Sequence, residues 1–225
     1  MEDKGRIGIL GGTFNPIHIG HLRIAEEVRE KMNLKEVVFV PSYIPPHKDE
    51  REIAPPHYRA EMVKIAIQDN PFFKISTIEI DRGGKSYTID TVEEFKKKYD
   101  EDIYLISGID TFEEFSTWHR VDNLLRACNF IVTSRPGYKE DKLEDTLYKT
   151  ITSDYPDIKF KKEKSKGNLT IYGIETSNYK LYLFSSILLD ISASKIRRCL
   201  KEGSSIKYLV PHEVEKFLIE KKIYI

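Results

Sequence analysis

The 225-residue sequence predicts an α/β fold, a single domain over residues 1–225 built on a parallel sheet with helices on both faces. Three observations carry this. Short apolar runs alternate with longer amphipathic segments, as βαβ units require. Turn-forming and helix-starting residues fall just after the apolar runs, where open α/β sheets place their ligand crevice. A chain of this length with 40% hydrophobic residues can also bury a sizeable core.

The first expected strand spans residues 6–10, with Ile7, Ile9 and Leu10 as its apolar content. A helix over 20–31 follows, because Leu22, Ala25, Val28 and Met32 recur at helical spacing while Arg23, Glu26, Glu27 and Glu30 fall elsewhere. Strand-like runs at 36–40, 73–80, 103–107 and 130–133 then alternate with helical segments at 57–67, 89–99 and 121–126. Tyr87-Thr88 precede Ile89, Val92 and Phe95 and mark a helix start. Between 138 and 182 the pattern reads as a helix followed by a hairpin of 169–172 and 179–184, with the basic run 161–166 as a solvated loop. Ile196, Cys199 and Leu200 share the face of a further helix, capped by Ser192 or Ser194 and stopped at Gly203.

Charge narrows the partners. Lys+Arg and Asp+Glu both number 36, so no net field attracts nucleic acid or an anionic membrane, and any anion site must be local. No apolar run approaches membrane-spanning length, and the start of the chain is acidic where a secretion signal would be basic and then apolar; a cytoplasmic protein is expected. Cys128 and Cys199 stand far apart without metal-ligand spacing and read as small core residues.

The chemistry concentrates in residues 8–21. A strand runs into Gly11-Gly12-Thr13-Phe14-Asn15-Pro16, and His18-Ile19-Gly20-His21 opens the next helix. The glycine pair lets a phosphate approach the backbone, and the helix N-terminus adds unpaired N–H groups and a positive dipole end. His18 and His21, three apart on one turn, add donors that can follow charge as it moves. Elsewhere, the proline-rich loop 41–46 presents Lys48 on a long stem, and the helix start at Thr88 can hold a carboxylate or phosphate. Asp110 can accept bonds from a ribose or cap a helix. Trp118, the sole tryptophan, is either a core anchor or a platform for a stacked ring.

The segment 11–21 resembles the signature of the nucleotidylyltransferase superfamily, whose histidine pair also occurs in class I aminoacyl-tRNA synthetases. Val40-Pro41-Ser42-Tyr43-Ile44-Pro45-Pro46-His47-Lys48, Ser86-Tyr87-Thr88, Ser107-Gly108-Ile109-Asp110, Trp118, Arg135-Pro136-Gly137 and Ile191-Ser192-Ala193-Ser194-Lys195-Ile196-Arg197 follow in the order seen in bacterial nicotinate-mononucleotide adenylyltransferases. The resemblance covers nearly the whole chain and implies a Rossmann-like fold.

It also implies transfer of the adenylyl group of ATP to nicotinate mononucleotide, with release of pyrophosphate. His18 and His21 would serve the α- and β-phosphate region, Gly11, Gly12 and the backbone of Thr13 and Phe14 the α-phosphate, and Lys48 and Arg197 charge neutralisation. The helix start with Ser192 and Ser194 would bind the β- and γ-phosphates; Ser194 replaces the family's usual threonine and keeps its hydroxyl. Gly108 and Asp110 would lie on the adenosine side, Thr88, Trp118 and Arg135 on the mononucleotide side. Magnesium would arrive on the ATP phosphates, since no carboxylate cluster in the sequence could hold it unaided. The attacking phosphate is largely ionised at neutral pH, its second pKa being about 6, so no protein nucleophile is needed.

Four other readings stay open. A pantetheine-phosphate adenylyltransferase is usually shorter and leaves Ser86-Tyr87-Thr88 and Trp118 unexplained. A nicotinamide mononucleotide acceptor would change the substrate only. A non-catalytic nucleotide sensor would keep the glycine turn but not need His21 or Arg197, and a synthetase would need a lysine-rich catalytic loop and a longer chain.

Overall fold

The computed structural model describes residues 5–45, 53–134, 140–187 and 189–225. Among them the strands β1 (Arg6–Gly12), β2 (Glu36–Pro41), β3 (Phe73–Ile75), β4 (Asp102–Gly108), β5 (Asn129–Ser134), β6 (Phe160–Lys166), β7 (Leu169–Ile174) and β8 (Lys180–Ser185) form one sheet in the order β3-β2-β1-β4-β5-β8-β7-β6. From β3 to β8 every neighbouring pair is parallel, while β7 runs antiparallel to both β8 and β6.

Alternation along the parallel strands builds a core on each face, because successive side chains of a strand point to opposite sides. Ile7, Ile9, Val38, Val40, Ile103, Leu105, Phe130 and Val132 enter one core. Their neighbours Leu10, Val37, Phe39, Tyr104, Ile106 and Ile131 enter the other. The second face is covered by α1 (Ile19–Lys31) and α2 (Pro56–Ile67), which bring Ala25, Val28, Met62 and Val63. After α3 (Ile78–Arg82), the first face receives α4 (Thr88–Lys98), the short α5 (Ile109–Phe112) and α6 (Val121–Leu125). The segment α7 (Glu140–Asp145), a π-helical turn (Thr146–Ile151) and α8 (Thr152–Asp154) adds Leu143, Leu147 and Ile151 to that same core. Finally α9 (Ala193–Lys201) and α10 (His212–Glu220) return to the second face through Ile196, Leu200, Val214 and Leu218. No helix among the described residues is long and apolar enough to cross a membrane.

Three expectations need correction. The strand expected over 73–80 stops at Ile75, and Ile78–Arg82 is helical. The alternating pairs Phe73/Ile75 and Ile78/Ile80 mimicked a strand, but the short helix delivers Glu79 to a buried position instead. The basic run 161–166 is not a loop: it forms β6, the edge of the sheet, paired with β7. Its lysines are exposed, and charged edge residues discourage pairing with another chain. The expected hairpin is therefore a three-stranded meander, turned at Gly167 with φ +64° between β6 and β7. Helix α10 had no place in the reading of the sequence.

The cap at 192 is as expected: Ser192 is the N-cap of α9, its hydroxyl accepting from the Lys195 N–H at 3.2 Å, and Gly203 follows the helix with φ +67°. Cys128 is fully buried, whereas Cys199 is half-buried against the second core.

Candidate active site

The strand order reverses between β1 and β4, and a cleft of about 1050 Å³ opens at their carboxyl ends, where the topology of such sheets places a ligand. That volume is at the upper end for a small-molecule site. Its lining brings together Gly11, Gly12, Thr13, Phe14, His21, Thr88, Gly108, Trp118 and Arg197, from five separate parts of the chain.

The histidine pair follows from the way α1 begins. His18 is the N-cap residue in extended conformation, and its backbone N–H donates to His21 Nδ1 at 3.2 Å. A neutral His21 accepting at Nδ1 carries its proton on Nε2, which fixes the tautomer that can donate to an anion. The two rings stack at 3.7 Å, and Phe14 meets His21 edge-on at 5.2 Å. Gly20 has its own reason: a Cβ there would stand 3.0 Å from His18 Nδ1, tight enough that the stacked ring would have to shift by a few tenths of an ångström. A Cβ at Gly11 would meet nothing within 4 Å, which leaves its backbone open.

His18 itself is buried, does not line the cleft, and has no partner for Nδ1 among the described residues. Burial pulls its pKa down to about 4, so at neutral pH it is an uncharged ring backing His21. The sign of the pH effect follows. Unfolded His18 takes up its proton near 6.5 and folded His18 near 4, so the unfolded state gains the extra proton as pH falls through that window. We expect stability to drop by up to about 3 kcal/mol on acidification from this group alone. Urea unfolding near pH 7 and about pH 4.5 checks it: His18→Asn should lose distinctly less stability than the parent, and equal losses would remove His18 as the cause.

Arg197, on α9, donates to the Asn15 carbonyl at 2.9 Å and so reaches the glycine turn from the opposite side of the cleft. Asn15 is a junction. Its side-chain oxygen accepts from the Ala54 N–H at 3.0 Å and from the Tyr224 hydroxyl. Arg59 completes the support: fully buried, it donates to the carbonyls of Thr13 at 2.8 Å, Ala54 at 2.9 Å and Tyr43 at 2.9 Å. Burial lowers its pKa below the ordinary arginine value.

At the other end of the cleft lie Thr88, Trp118, Tyr87 and side chains that the sequence reading passed over, Glu79, His119 and Arg120. Glu79 is buried with its carboxyl pKa raised by burial, and it accepts from Thr91 Oγ1 at 2.6 Å and from Ser86. Ser86 Oγ in turn accepts the Tyr43 N–H at 2.9 Å, so one chain of bonds ties the loop after β2 to the start of α4. Thr88 is the first residue of α4, and its N–H belongs to the unpaired first turn. Trp118 packs on Phe115 at 5.0 Å, partly buried against the first core, and also lines the cleft.

Asp110, Ser192 and Ser194 stand apart from this lining; Thr111 and Ala193, their neighbours, take those positions. Lys48 and Arg135 lie outside the described residues.

Comparison with known proteins adds three findings. The family profile described as cytidylyltransferase-like matches residues 9–199. A protein of Geotalea daltonii named as a probable nicotinate-nucleotide adenylyltransferase is 44% identical over 220 residues, covering 97% of this chain and 98% of its own length. One of the same name from Thermoanaerobacter is 41% identical over 226 residues, covering 100% of this chain and 96% of its own. Among solved structures, the Plasmodium falciparum nicotinic acid mononucleotide adenylyltransferase complexed with NaAD superposes with a TM-score of 0.70 over 98% of this chain and 97% of that one, at 19% identity, a likeness of fold.

Proposed function

The chain belongs to the cytidylyltransferase-like family, and on that premise we propose that it is a nicotinate-nucleotide adenylyltransferase. It transfers the adenylyl group of ATP to nicotinate mononucleotide, giving nicotinate adenine dinucleotide and pyrophosphate. The observation that carries the reading is the convergence of His21 and Arg197 on the turn 11–15 at the mouth of β1.

An oxygen of the acceptor phosphate forms a bond to the α-phosphorus of ATP as the α–β bridging bond breaks, and both electrons leave with pyrophosphate. The acceptor brings its own charge, so the protein's task is alignment and neutralisation. We assign the backbone N–H groups of Gly11, Gly12, Thr13 and Phe14 and the Nε2–H of His21 to the α-phosphate. Arg197 and the N-terminus of α9, with Ser192 and Ser194, take the leaving phosphates; a helix start with unpaired N–H groups suits them. His18 acts through His21, as a ring that holds its plane. Gly108, with Asp110 beyond the lining, faces the ribose of adenosine. Lys48 and Arg135, outside the described residues, keep the charge-neutralising and mononucleotide-binding roles that the resemblance implies. Magnesium carried by ATP would offset phosphate charge; Glu79 and Glu114 are the carboxylates of the cleft, and among the described residues no group of three metal-ligating side chains gathers to hold a resident ion. Two free thiols suit a reducing compartment, and the cytoplasm is the one we propose.

The acceptor tests the reading. At Thr88 the first-turn N–H groups of α4 suit the carboxylate of nicotinate, whereas an amide satisfies them only through its oxygen and leaves its NH₂ facing donors. An unsatisfied buried group costs about 1 to 3 kcal/mol, more when a charge-assisted bond is lost, so kcat/KM should favour the acid by roughly 10². Thr88→Pro deletes one donor at a first helical position where proline fits, because Tyr87 at φ −91°, ψ 128° already has the backbone that precedes proline. The variant should narrow the preference, with Thr88→Val as the control for the hydroxyl. Equal use of acid and amide by the parent would sink the assignment of the acceptor.

A further inference from the structure

Behind Arg197 a second cavity of about 360 Å³ opens between α9, the residues leading into α2 and the chain after α10. Arg197 lines both cavities, so the two are neighbours across one side chain. Lys201, Lys221 and Lys222 line the second with it, against walls that include Tyr58 and Tyr224. No aspartate or glutamate is among the described residues lining it. Nor does any of the three lysines make an ion pair or side-chain hydrogen bond within the described chain.

Four cations around one concavity repel one another and their potentials add inside it, and no carboxylate among the described lining residues offsets them. Several other lysines do hold a carboxylate, Lys35, Lys180 and Lys216 at 2.6 to 2.9 Å among them. An arrangement that concentrates positive charge in a concave space is completed by a small, multiply charged anion. Lysine, a compact charge on a flexible stem, suits phosphate oxygens in several orientations. The position indicates which anion. Arg197 is the residue assigned to the leaving phosphates, and the second cavity lies on its far side, away from Thr88 and Trp118.

We propose that this cavity is a pyrophosphate site, to which the leaving group passes from the cleft around Arg197 and where Lys201, Lys221 and Lys222 hold it before release. The proposal rests on the adenylyl-transfer reading for the identity of the anion. Its wall is also in contact with the reaction centre, since the Tyr224 hydroxyl and Arg197 both bind Asn15. Pyrophosphate held there leaves the cleft clear for the dinucleotide to depart.

The test saturates the full-length protein with an ATP analogue whose α–β bridge is a methylene group, then titrates inorganic pyrophosphate by calorimetry. The parent is expected to bind one further pyrophosphate. The Lys221→Gln, Lys222→Gln double variant should bind it about tenfold or more weakly, and so should Lys201→Gln on the opposite wall, with the affinity for the analogue within about twofold of the parent. Pyrophosphate that binds only by displacing the analogue means a single shared site and overturns the proposal. Equal pyrophosphate affinity in parent and both variants overturns it as well. Failure of the analogue itself to bind would instead count against the adenylyl-transfer reading.

Discussion

Replacing His21 by alanine lowers kcat by about 10² or more while the dissociation constant for ATP moves only a few-fold. The reason is the tautomer. His21 Nδ1 accepts the His18 backbone N–H, so in the neutral ring Nε2 holds the proton, and in the role proposed for it donates most strongly to oxygens that gain charge during transfer. A donor fixed by a helix cap and by two ring contacts needs no reorganisation as that charge develops, which makes its loss fall on the transition state. The substitution also removes an acceptor from the cap of α1, worth about 1 kcal/mol of stability, so unfolding midpoints must be measured beside the kinetics. Steady-state rates together with analogue binding decide the matter. Turnover within a few-fold of the parent would make His21 a capping residue and nothing more.

The second large effect lies away from the reacting atoms. Arg59→Ala leaves the buried carbonyls of Thr13 and Ala54 and the part-buried carbonyl of Tyr43 without their donor and opens a void where a large side chain was fully buried. A loss of about 3 to 5 kcal/mol in unfolding free energy is expected. The three carbonyls belong to the glycine turn, the loop after β2 and the lead into α2, so the guanidinium sets how these lie against one another. A positioning role predicts that kcat/KM falls under conditions where the variant is still folded, and that Arg59→Lys, keeping charge but not the fork, recovers stability better than turnover. A variant of parental activity once folded would confine Arg59 to stability.

Much of this was legible in the sequence, and the residues say why. Strands β1, β2, β4 and β5 are runs with strong local pattern, and α1 shows its periodicity outright. The glycine turn and both histidines stand together in eleven residues, so no tertiary information is needed to see an anion site there. Arg59 was missed although a signal existed: it shares the buried stripe of α2 with Met62, Val63 and Ile67, an arginine at a position where spacing asks for an apolar residue. Glu79 left none, because its burial depends on a short helix hidden in an alternating run. Strand β6 was hidden by composition, since six charged or polar residues read as solvated whether they form a loop or an exposed edge. The burial of His18 behind His21 is a tertiary fact, and spacing alone made the two look equivalent.

Asn15 binds partners contributed by distant stretches of chain: Arg197 comes 182 residues later and Tyr224 209 residues later. On a ribosome adding roughly 5 to 20 residues per second, the cradle proposed for ATP stays unfinished for about 10 to 40 seconds after its own residues have been made. The glycine turn and the histidines emerge early and Ala54 soon after, yet Arg197 and Tyr224 reach Asn15 only much later. Activity in a nascent chain should therefore appear as a step late in synthesis, and cleavage of the chain before Tyr224 would leave a folded sheet with a loosened cradle.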